Sequence, residues 1–348
     1  MSEDLKIKAK DGNLIFQAET INFGNLSPEE LSEWSTKLIE QNSYKITAGK
    51  TFLERITKWS LKFFRKLDNE YPDLKKSFEN PDMQFNLIDT QKAIGRSSDE
   101  NLGILLSDLL LERAKSEDKD FYKILLNESL RVVTLLTKSQ LEILSLCFFL
   151  HNGHNYFKMT NLEEFKKYIV LLSKYFQTID IHLKSSEFEH FEYTGCGKKT
   201  SKKLYLAKYY SRIYPGLFVH SLNKEQLINS IEENQYEKIK SIFIEKTENE
   251  LVFKYIKAKD ISYNLFLLGI NNDTNDIFRS MFLKSKRVEN ECRNIILQIE
   301  PNFQDYFESW EASYLSSFEL NNIGCILASV YINNNSENKI NIKEFLEI

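Results

Sequence analysis

The spacing of apolar residues between Asn80 and Leu150 predicts a run of helices. Met83, Leu87 and Ile94 recur at helical spacing, and residues 102–110 place leucines at i, i+3, i+4, i+7 and i+8. Residues 141–150, LEILSLCFFL, are apolar nearly all round, which is typical of a helix at the centre of a core. The connections between these four helices are short, and short connections indicate an antiparallel bundle.

Capping boxes mark several helix starts. In this motif a Ser or Thr at the N-cap is followed three residues later by Glu or Gln, and the two satisfy each other's backbone N–H groups. Three pairs fit the motif: Ser27 with Glu30, Ser97 with Glu100, and Thr137 with Gln140. We therefore expect helices to begin next to each pair.

A strand-like pattern precedes the first capping box. Asp11-Gly12 is a turn signal, and the apolar residues that follow alternate in the way of an extended chain. An isolated short β element is marginal in water, so it must pair with something. Two alternatives stay open: the same segment of a second subunit, or the chain's own helical core. If the segment mediates oligomerisation, the residues concerned are Leu14, Ile15, Phe16, Ile21 and Phe23.

The pattern as a whole predicts a mainly α protein, a multi-helix bundle with a short N-terminal β segment. A small β element is expected near residues 250–259, and further helices at 274–298 and 303–333. We divide the chain into a β oligomerisation segment at 1–26, an N-terminal helical bundle at 27–155 and a mainly helical C-terminal domain at 156–348.

Composition narrows the class of protein. The 348 residues are 42% hydrophobic and include only 5 Pro, so the chain is too apolar for disorder and has few positions that break helices. The net charge of −4 gives no global attraction for nucleic acid or anionic lipid, so any such contact needs a local patch. Four scattered cysteines, no apolar leader and no long uncharged apolar window predict reduced thiols and a cytoplasmic protein.

Two local groups of basic residues are candidates for contact with an anion or with nucleic acid. One lines the polar side of an amphipathic helix at 50–67, and the other occupies a glycine-containing turn at 195–203. For the helix, an anionic lipid surface, an acidic partner and a solvated face balanced by nearby acids are further readings. The residues are Arg55, Lys58, Lys62, Arg65, Lys66, Lys198, Lys199, Lys202 and Lys203.

Patterns for metal binding and catalysis are weak. His151, His154, His190 and Cys196 have suitable donor atoms for zinc, but their spacing fits no structural zinc motif. The turn at 195–203 is not a phosphate loop, because Glu192 and Lys199 stand where that motif needs Gly and Ser or Thr. We predict no metal, no cofactor and no catalytic residue. Asp108, Glu112 and Glu128, with Arg113 and Arg131 nearby, are expected to form salt bridges between helices.

Several segments resemble a family of bacterial proteins. The text SDENLGILLSDLLLERAK, followed by ILLNESL and LTKSQLEILSL, resembles uncharacterised bacterial proteins and, more distantly, the abortive-infection alpha (Abi-alpha) type. FEHFEYTGCG, YPGLF and FELNNIGCILASVYI are similar to further landmarks of that group, and Asn321 stands where the group has a Thr. QAETINFGNLSPEEL resembles a segment found in assorted bacterial conflict proteins.

The resemblance implies a role in anti-phage defence, with self-association, and it supplies no catalytic residues. The leading hypothesis is therefore a non-enzymatic component of a defence system that self-associates and binds a macromolecular partner. One alternative is a nucleic-acid-binding sensor or regulator that uses a basic surface. A second alternative is a cryptic nuclease or nucleotide-consuming effector whose site is assembled from residues distant in sequence.

Overall fold

The computed structural model describes residues 23–42, 50–116, 121–156, 162–181, 184–214, 217–231, 233–254, 258–285, 287, 289–335 and 339–346. Most of these residues are helical and only a few short strands occur, which confirms the predicted fold class. The chain divides into two compact units, Met1–Thr134 and Leu135–Ile348. The predicted boundaries at residues 26 and 155 stay predictions. The predicted N-terminal strand lies outside the described residues except for Phe23, which opens a 3-10 turn, Phe23–Asn25.

The first unit contains five helices within its described residues: α1 (Pro28–Asn42), α2 (Lys50–Glu70), α3 (Pro81–Arg96), α4 (Glu100–Ala114) and α5 (Phe121–Val133). A 3-10 helix, Pro72–Glu79, connects α2 to α3. Helix α2 packs against α1 and α3, and α4 packs against α5.

Aromatic residues on α2 form the centre of the first unit. Trp59 stacks on Phe63 with ring centroids 5.2 Å apart, and Phe63 meets Phe78 of the 3-10 helix edge to face at 5.8 Å. The indole N–H of Trp59 donates to the Gly103 carbonyl at 3.0 Å. Because the apolar face of α2 is buried as its periodicity predicts, the first unit is held by ordinary hydrophobic packing.

Two of the three predicted capping boxes are present. Ser27 and Glu30 exchange both hydrogen bonds, at 2.8 and 3.2 Å, and Thr137 and Gln140 do the same at 3.0 and 3.2 Å. The prediction for Ser97 was wrong. Asp99 is the N-cap of α4 and accepts from the Asn101 N–H at 2.8 Å, while Ser97 accepts from the Asp99 N–H. Asp and Ser are about equally good N-cap residues, and Asp99 directly precedes the first turn of α4, whereas Ser97 lies two residues earlier.

Among the described residues of the second unit, twelve helices and five short strands follow one another. The helices are α6 (Lys138–Tyr156), α7 (Leu162–Thr178), α8 (Ser185–Tyr193), α9 (Leu206–Ile213), α10 (Lys224–Ile231), α11 (Glu233–Ile239), α12 (Ala258–Leu267), α13 (Asn272–Lys284), α14 (Glu289–Ile299), α15 (Phe303–Ala312), α16 (Asn322–Asn335) and α17 (Ile342–Phe345). The strands are β1 (Gly197–Lys199), β2 (Leu222–Asn223), β3 (Phe243–Thr247), β4 (Glu250–Phe253) and β5 (Phe318–Leu320). Helix α6, which the sequence places in a four-helix bundle with α3–α5, belongs to this unit.

Helices α6 and α16 pack together in the second unit. Residues 143–150 of α6 and 324–332 of α16 are buried without exception, so these segments are covered on all sides, as expected for the centre of a large core. Predicted helices at 274–298 and 303–333 are each interrupted. The first is split into α13 and α14, and the second into α15, β5 and α16.

The strands form two antiparallel sheets. Strand β1 pairs with β5, with Gly197 opposite Leu320 and Lys199 opposite Phe318. The other sheet has the order β2-β4-β3, so the predicted β element near 250–259 is present as β4, whereas α12 already begins at Ala258. Phe243 and Phe253 pair across this sheet and pack on α13 through Phe278 and Phe282, which closes a satellite core.

Candidate functional site

The junction between the β1–β5 pair and α16 brings together two segments distant in sequence. A Cβ atom added to Gly324 in α16 would lie 1.9 Å from the carbonyl oxygen of Cys196, so only glycine allows the helix to approach this turn. Gly195, in the same turn, has a φ of +73°, a conformation that residues other than glycine rarely adopt. The segments FEHFEYTGCG and FELNNIGCILASVYI therefore form one structural element.

Asn321 locks this junction. Its side-chain oxygen accepts the Gly324 N–H at 3.0 Å, which caps the start of α16. Its side-chain amide donates to the Gly195 carbonyl at 2.6 Å, and its backbone N–H donates to the Cys196 carbonyl at 3.2 Å. The side chain of Asn321 thus caps α16 and also connects that helix to the turn at Gly195.

The residues that follow, 198–203, we name the basic turn. Two residues directly before β5 hold its backbone. The Thr200 N–H donates to the Ser317 carbonyl at 2.7 Å, and the Leu204 N–H donates to the Ser316 carbonyl at 2.6 Å. The indole N–H of Trp310 donates to the Leu204 carbonyl at 2.9 Å. These bonds fix the backbone conformation of the basic turn, so its side chains start from a preorganised backbone when a ligand binds.

The four lysines of the basic turn differ in their partners. Lys198 lies 3.5 Å from the Glu319 carboxylate, and Lys203 donates to the Glu311 carbonyl at 3.1 Å. Lys199 and Lys202 are exposed and have no acidic partner in the part of the chain that the structure describes. These two ammonium groups are available for a negatively charged ligand.

An exposed tyrosine adjoins the basic turn. Tyr193 ends α8 and is 85% exposed, more than any other large apolar or aromatic side chain among the described residues. The preceding Glu192 accepts the backbone N–H of Lys199 at 2.7 Å, which ties the end of α8 to β1. The Tyr193 ring stacks near His190, whose Nδ1 lies 3.0 Å from the Gln140 amide nitrogen. Tyr193 was not predicted from the sequence, although an aromatic residue close to a basic turn is a signal for such a site.

The basic residues of α2 are mostly occupied by neighbours within the first unit. Lys58 lies 3.3 Å from Glu100, and Lys66 lies 2.7 Å from Asp108. Arg65 lies 2.9 Å from Glu29, and its hydrogen bond lowers the pKa of that carboxyl. Arg55 donates to the Gly95 carbonyl at 3.3 Å, which leaves Lys62 exposed with no acidic partner among the described residues. The structure thus places less unpaired positive charge on α2 than its sequence suggests.

The four candidate zinc ligands have other surroundings. Within the described residues, no group of three or more His, Cys, Asp or Glu side chains is arranged to hold a metal ion. His151 packs against Trp310 with ring centroids 6.1 Å apart, and burial lowers its pKa to about 4. The thiol of Cys196 lies 3.4 Å from the Thr194 hydroxyl, and His190 contacts Gln140. The side chain of His154 lies outside the described residues.

The predicted salt bridges between helices are found in part. Lys66 of α2 and Asp108 of α4 form one, whereas Arg131 pairs within α5 with Glu128 at 2.9 Å. Glu112 accepts from the Tyr122 hydroxyl at 3.2 Å, so it does connect α4 to α5, without a charged partner on α5.

The buried Arg113 forms an ion pair with Asp82 of α3 at 2.5 Å, a partner that was not predicted from the sequence. Asn127 of α5 joins them by accepting from Arg113 Nε at 2.9 Å, and Lys123 lies 3.5 Å from Asp82. Partial burial alone would raise the pKa of Asp82, but the bonds from Arg113 and Asn127 and the nearby cations lower it. The network links α3, α4 and α5.

All four cysteines are buried free thiols, which agrees with the reduced thiols predicted from the sequence. Burial raises the pKa of Cys196 and of Cys292 to about 11, that of Cys325 to about 12, and that of Cys147 further still. Since the thiolate is the nucleophile, these thiols are inert at neutral pH.

Comparisons with known proteins give a family without an activity. Among the described residues, no helix is long and apolar enough to cross a membrane. Neither the curated proteins nor the solved structures contain a match to the chain. A family model, for proteins of unknown function, matches residues 26–346. That match covers most of the chain, and the protein belongs to this family.

Proposed function

We propose that the protein is a non-enzymatic component of a bacterial anti-phage defence system and that its macromolecular partner is nucleic acid, bound at the basic turn. Two observations carry the proposal. The exposed ammonium groups of Lys199 and Lys202 have no acidic partner among the described residues, and the exposed Tyr193 follows Glu192, which is bonded to the Lys199 backbone. The defence role comes from the resemblance to Abi-alpha proteins, and the cytoplasm is the location that goes with it.

Single-stranded nucleic acid suits this surface best. Proteins that bind single strands combine cations that follow the phosphates with aromatic rings on which bases stack. Tyr193 offers an open ring at the end of α8, and the bond between Glu192 and the Lys199 backbone keeps that end beside β1. A duplex hides its bases from such a ring, so a duplex would gain only the phosphate contacts.

A non-catalytic role accords with the chemistry of the second unit. The thiols are buried and stay protonated at neutral pH, and burial keeps His151 neutral. The hydroxyls of Tyr209, Tyr210 and Tyr214 have a raised pKa for the same reason. These groups contribute to packing and offer no activated nucleophile or base.

The test is fluorescence anisotropy with a labelled single-stranded oligonucleotide at several salt concentrations. Each phosphate contact to a single strand contributes about 0.7 to the slope of log K against log salt, so reversing Lys199 and Lys202 to Glu should reduce the slope by about 1.4 or more. Tyr193→Ala should weaken binding by about 1–3 kcal/mol, the usual value of one stacked base, with little change in slope.

A matched control reverses Lys238 and Lys246, two exposed lysines of the same unit, and changes the net charge equally. This variant should retain most of the wild-type slope. Equal losses in both double variants would show a non-specific charge effect and reject the basic turn as the site. Absence of binding by the wild-type protein at low salt would reject the proposed function.

A further inference from the structure

Helix α12 carries apolar residues on both of its faces. Ile261 and Leu265 are fully buried in the satellite core. Tyr263, Phe266 and Leu267 are 62%, 71% and 61% exposed, and they fall within about 100° of arc on the opposite side of the helix. A helix that is apolar on opposite faces is normally covered on both. We call Tyr263, Phe266 and Leu267 the α12 stripe.

The C-terminal end of α12, which carries part of the α12 stripe, is capped by hydrogen bonds. Gly269 adopts a φ of +71°, and its N–H donates to the Phe266 carbonyl at 3.0 Å. The Ile270 N–H donates to the Leu265 carbonyl at 3.0 Å, so two terminal carbonyls of α12 are satisfied. Exposure of the stripe is thus a property of the ordered helix and does not come from an open, unfinished helix end.

The size of the α12 stripe suits a pair of identical chains. A whole aromatic side chain offers about 150–250 Å², so the stripe with the adjoining, 39% exposed Leu268 presents on the order of 400 Å² of apolar surface. Two stripes in contact would bury roughly 800 Å². Since homodimer interfaces are about 65% apolar, that corresponds to a total near 1,200 Å², the lower end of the range for specific interfaces.

Charges at the two ends of α12 complement each other across a two-fold axis. Lys259 is exposed at the start of α12, and Asp273 is exposed just after its end, in the first turn of α13. Neither side chain has an ion-pair partner among the described residues. When two copies of a helix pair antiparallel, the start of one lies beside the end of the other, so Lys259 of each copy would meet Asp273 of the other.

We propose that the α12 stripe is a self-association surface and that its occupant is the α12 stripe of a second copy of this chain, packed antiparallel. This inference is independent of the nucleic-acid proposal, because it concerns other residues and a different measurement. It also differs from oligomerisation through residues 14–23, which stays a separate prediction.

The experiment measures the mass of the full-length protein by light scattering and by sedimentation equilibrium over a wide concentration range. We expect twice the mass of one chain at high concentration. Replacing Phe266 and Leu267 by Ser should raise the dimer dissociation constant by about thirtyfold or more, the loss that accompanies removal of an interface hot spot. Phe85→Ser, at a side chain 68% exposed on α3, is the matched control and should leave the mass unchanged.

A charge swap separates a second copy from any other partner. Lys259→Asp should weaken the dimer, and adding Asp273→Lys should restore it, because both ends then change sign together. The proposal is overturned if the wild-type chain is monomeric throughout, if the Ser variant retains the dimer, or if the swap fails to restore it. It is likewise overturned if deletion of residues 1–25 alone removes self-association while the Ser variant keeps it.

Discussion

Replacing Gly324 by Ala tests the junction that supports the basic turn. The new Cβ would lie 1.9 Å from the Cys196 carbonyl oxygen, and contacts of this kind are not found below 3.0 Å, so α16 and the turn must separate by about 1.1 Å. The contact is with backbone, so a change of rotamer cannot relieve it. We expect the separation to break the bond from the Asn321 N–H to the Cys196 carbonyl.

The size of the effect follows from opposing contributions. Overpacking of this type costs about 1–3 kcal/mol or more, and losing a backbone hydrogen bond adds about 1 kcal/mol. Ala gains up to about 1 kcal/mol over Gly in a helix. The net loss of about 1–4 kcal/mol should lower the melting temperature of the second unit by on the order of 2–15 °C.

The assay is scanning calorimetry together with hydrogen exchange of peptides that contain Asn321. Gly103→Ala is the control, because its Cβ would lie 3.3 Å from the Trp59 ring, which is tight but short of overlap. The control should change melting far less. If Gly324→Ala melted like the wild type and the Asn321 amide kept its protection, the junction would not require glycine at position 324.

Three further predictions concern stability and reactivity. The folded-state pKa of Asp82 lies below its ordinary value of 3.8. Its network therefore stabilises the protein above that pH, and this contribution is lost as the pH falls through the folded-state pKa. The urea midpoint of Asp82→Asn should vary less with acid pH than the midpoint of the wild type. Trp59→Phe should cost about 1 kcal/mol by leaving the Gly103 carbonyl without its indole donor, measured as a shift in the urea midpoint. The four cysteines should react with a thiol reagent only after denaturation, and a fast-reacting thiol in the native protein would contradict their burial.

Local sequence signals predicted the secondary-structure elements better than the distant segments with which those elements pair. The apolar face of α2 and the capping pairs at Ser27 and Thr137 depend on residues within one or two turns, and both features are present. The splitting of the predicted helix at 303–333 had no comparable local signal. Phe318 and Glu319 enter a strand because β1, more than a hundred residues earlier in the chain, offers them a partner.

In the candidate site, too, the local feature was predicted from sequence and the tertiary contacts were not. The lysines of the basic turn were evident as a charge cluster, but sequence alone did not show which of them lack partners. That property depends on Glu319 and Glu311, which approach from another part of the chain. The basic stripe of α2 shows the opposite outcome, since Glu29, Glu100 and Asp108 neutralise charges that look exposed on a helical wheel. Charge clusters in sequence therefore need their tertiary partners before they indicate a surface.

The pairing of α6 with α16 has a consequence for synthesis of the chain. The Glu142 carboxylate accepts from the Tyr331 hydroxyl across 189 positions of sequence, and β1 must wait for β5 in the same way. A ribosome that adds about 5–20 residues per second needs on the order of 10–40 s to supply the missing half of this core. We expect the first unit to fold during that delay, while the largely apolar residues 143–150 of α6 lack their contacts with α16. We therefore expect the nascent chain to depend most on a chaperone during this interval.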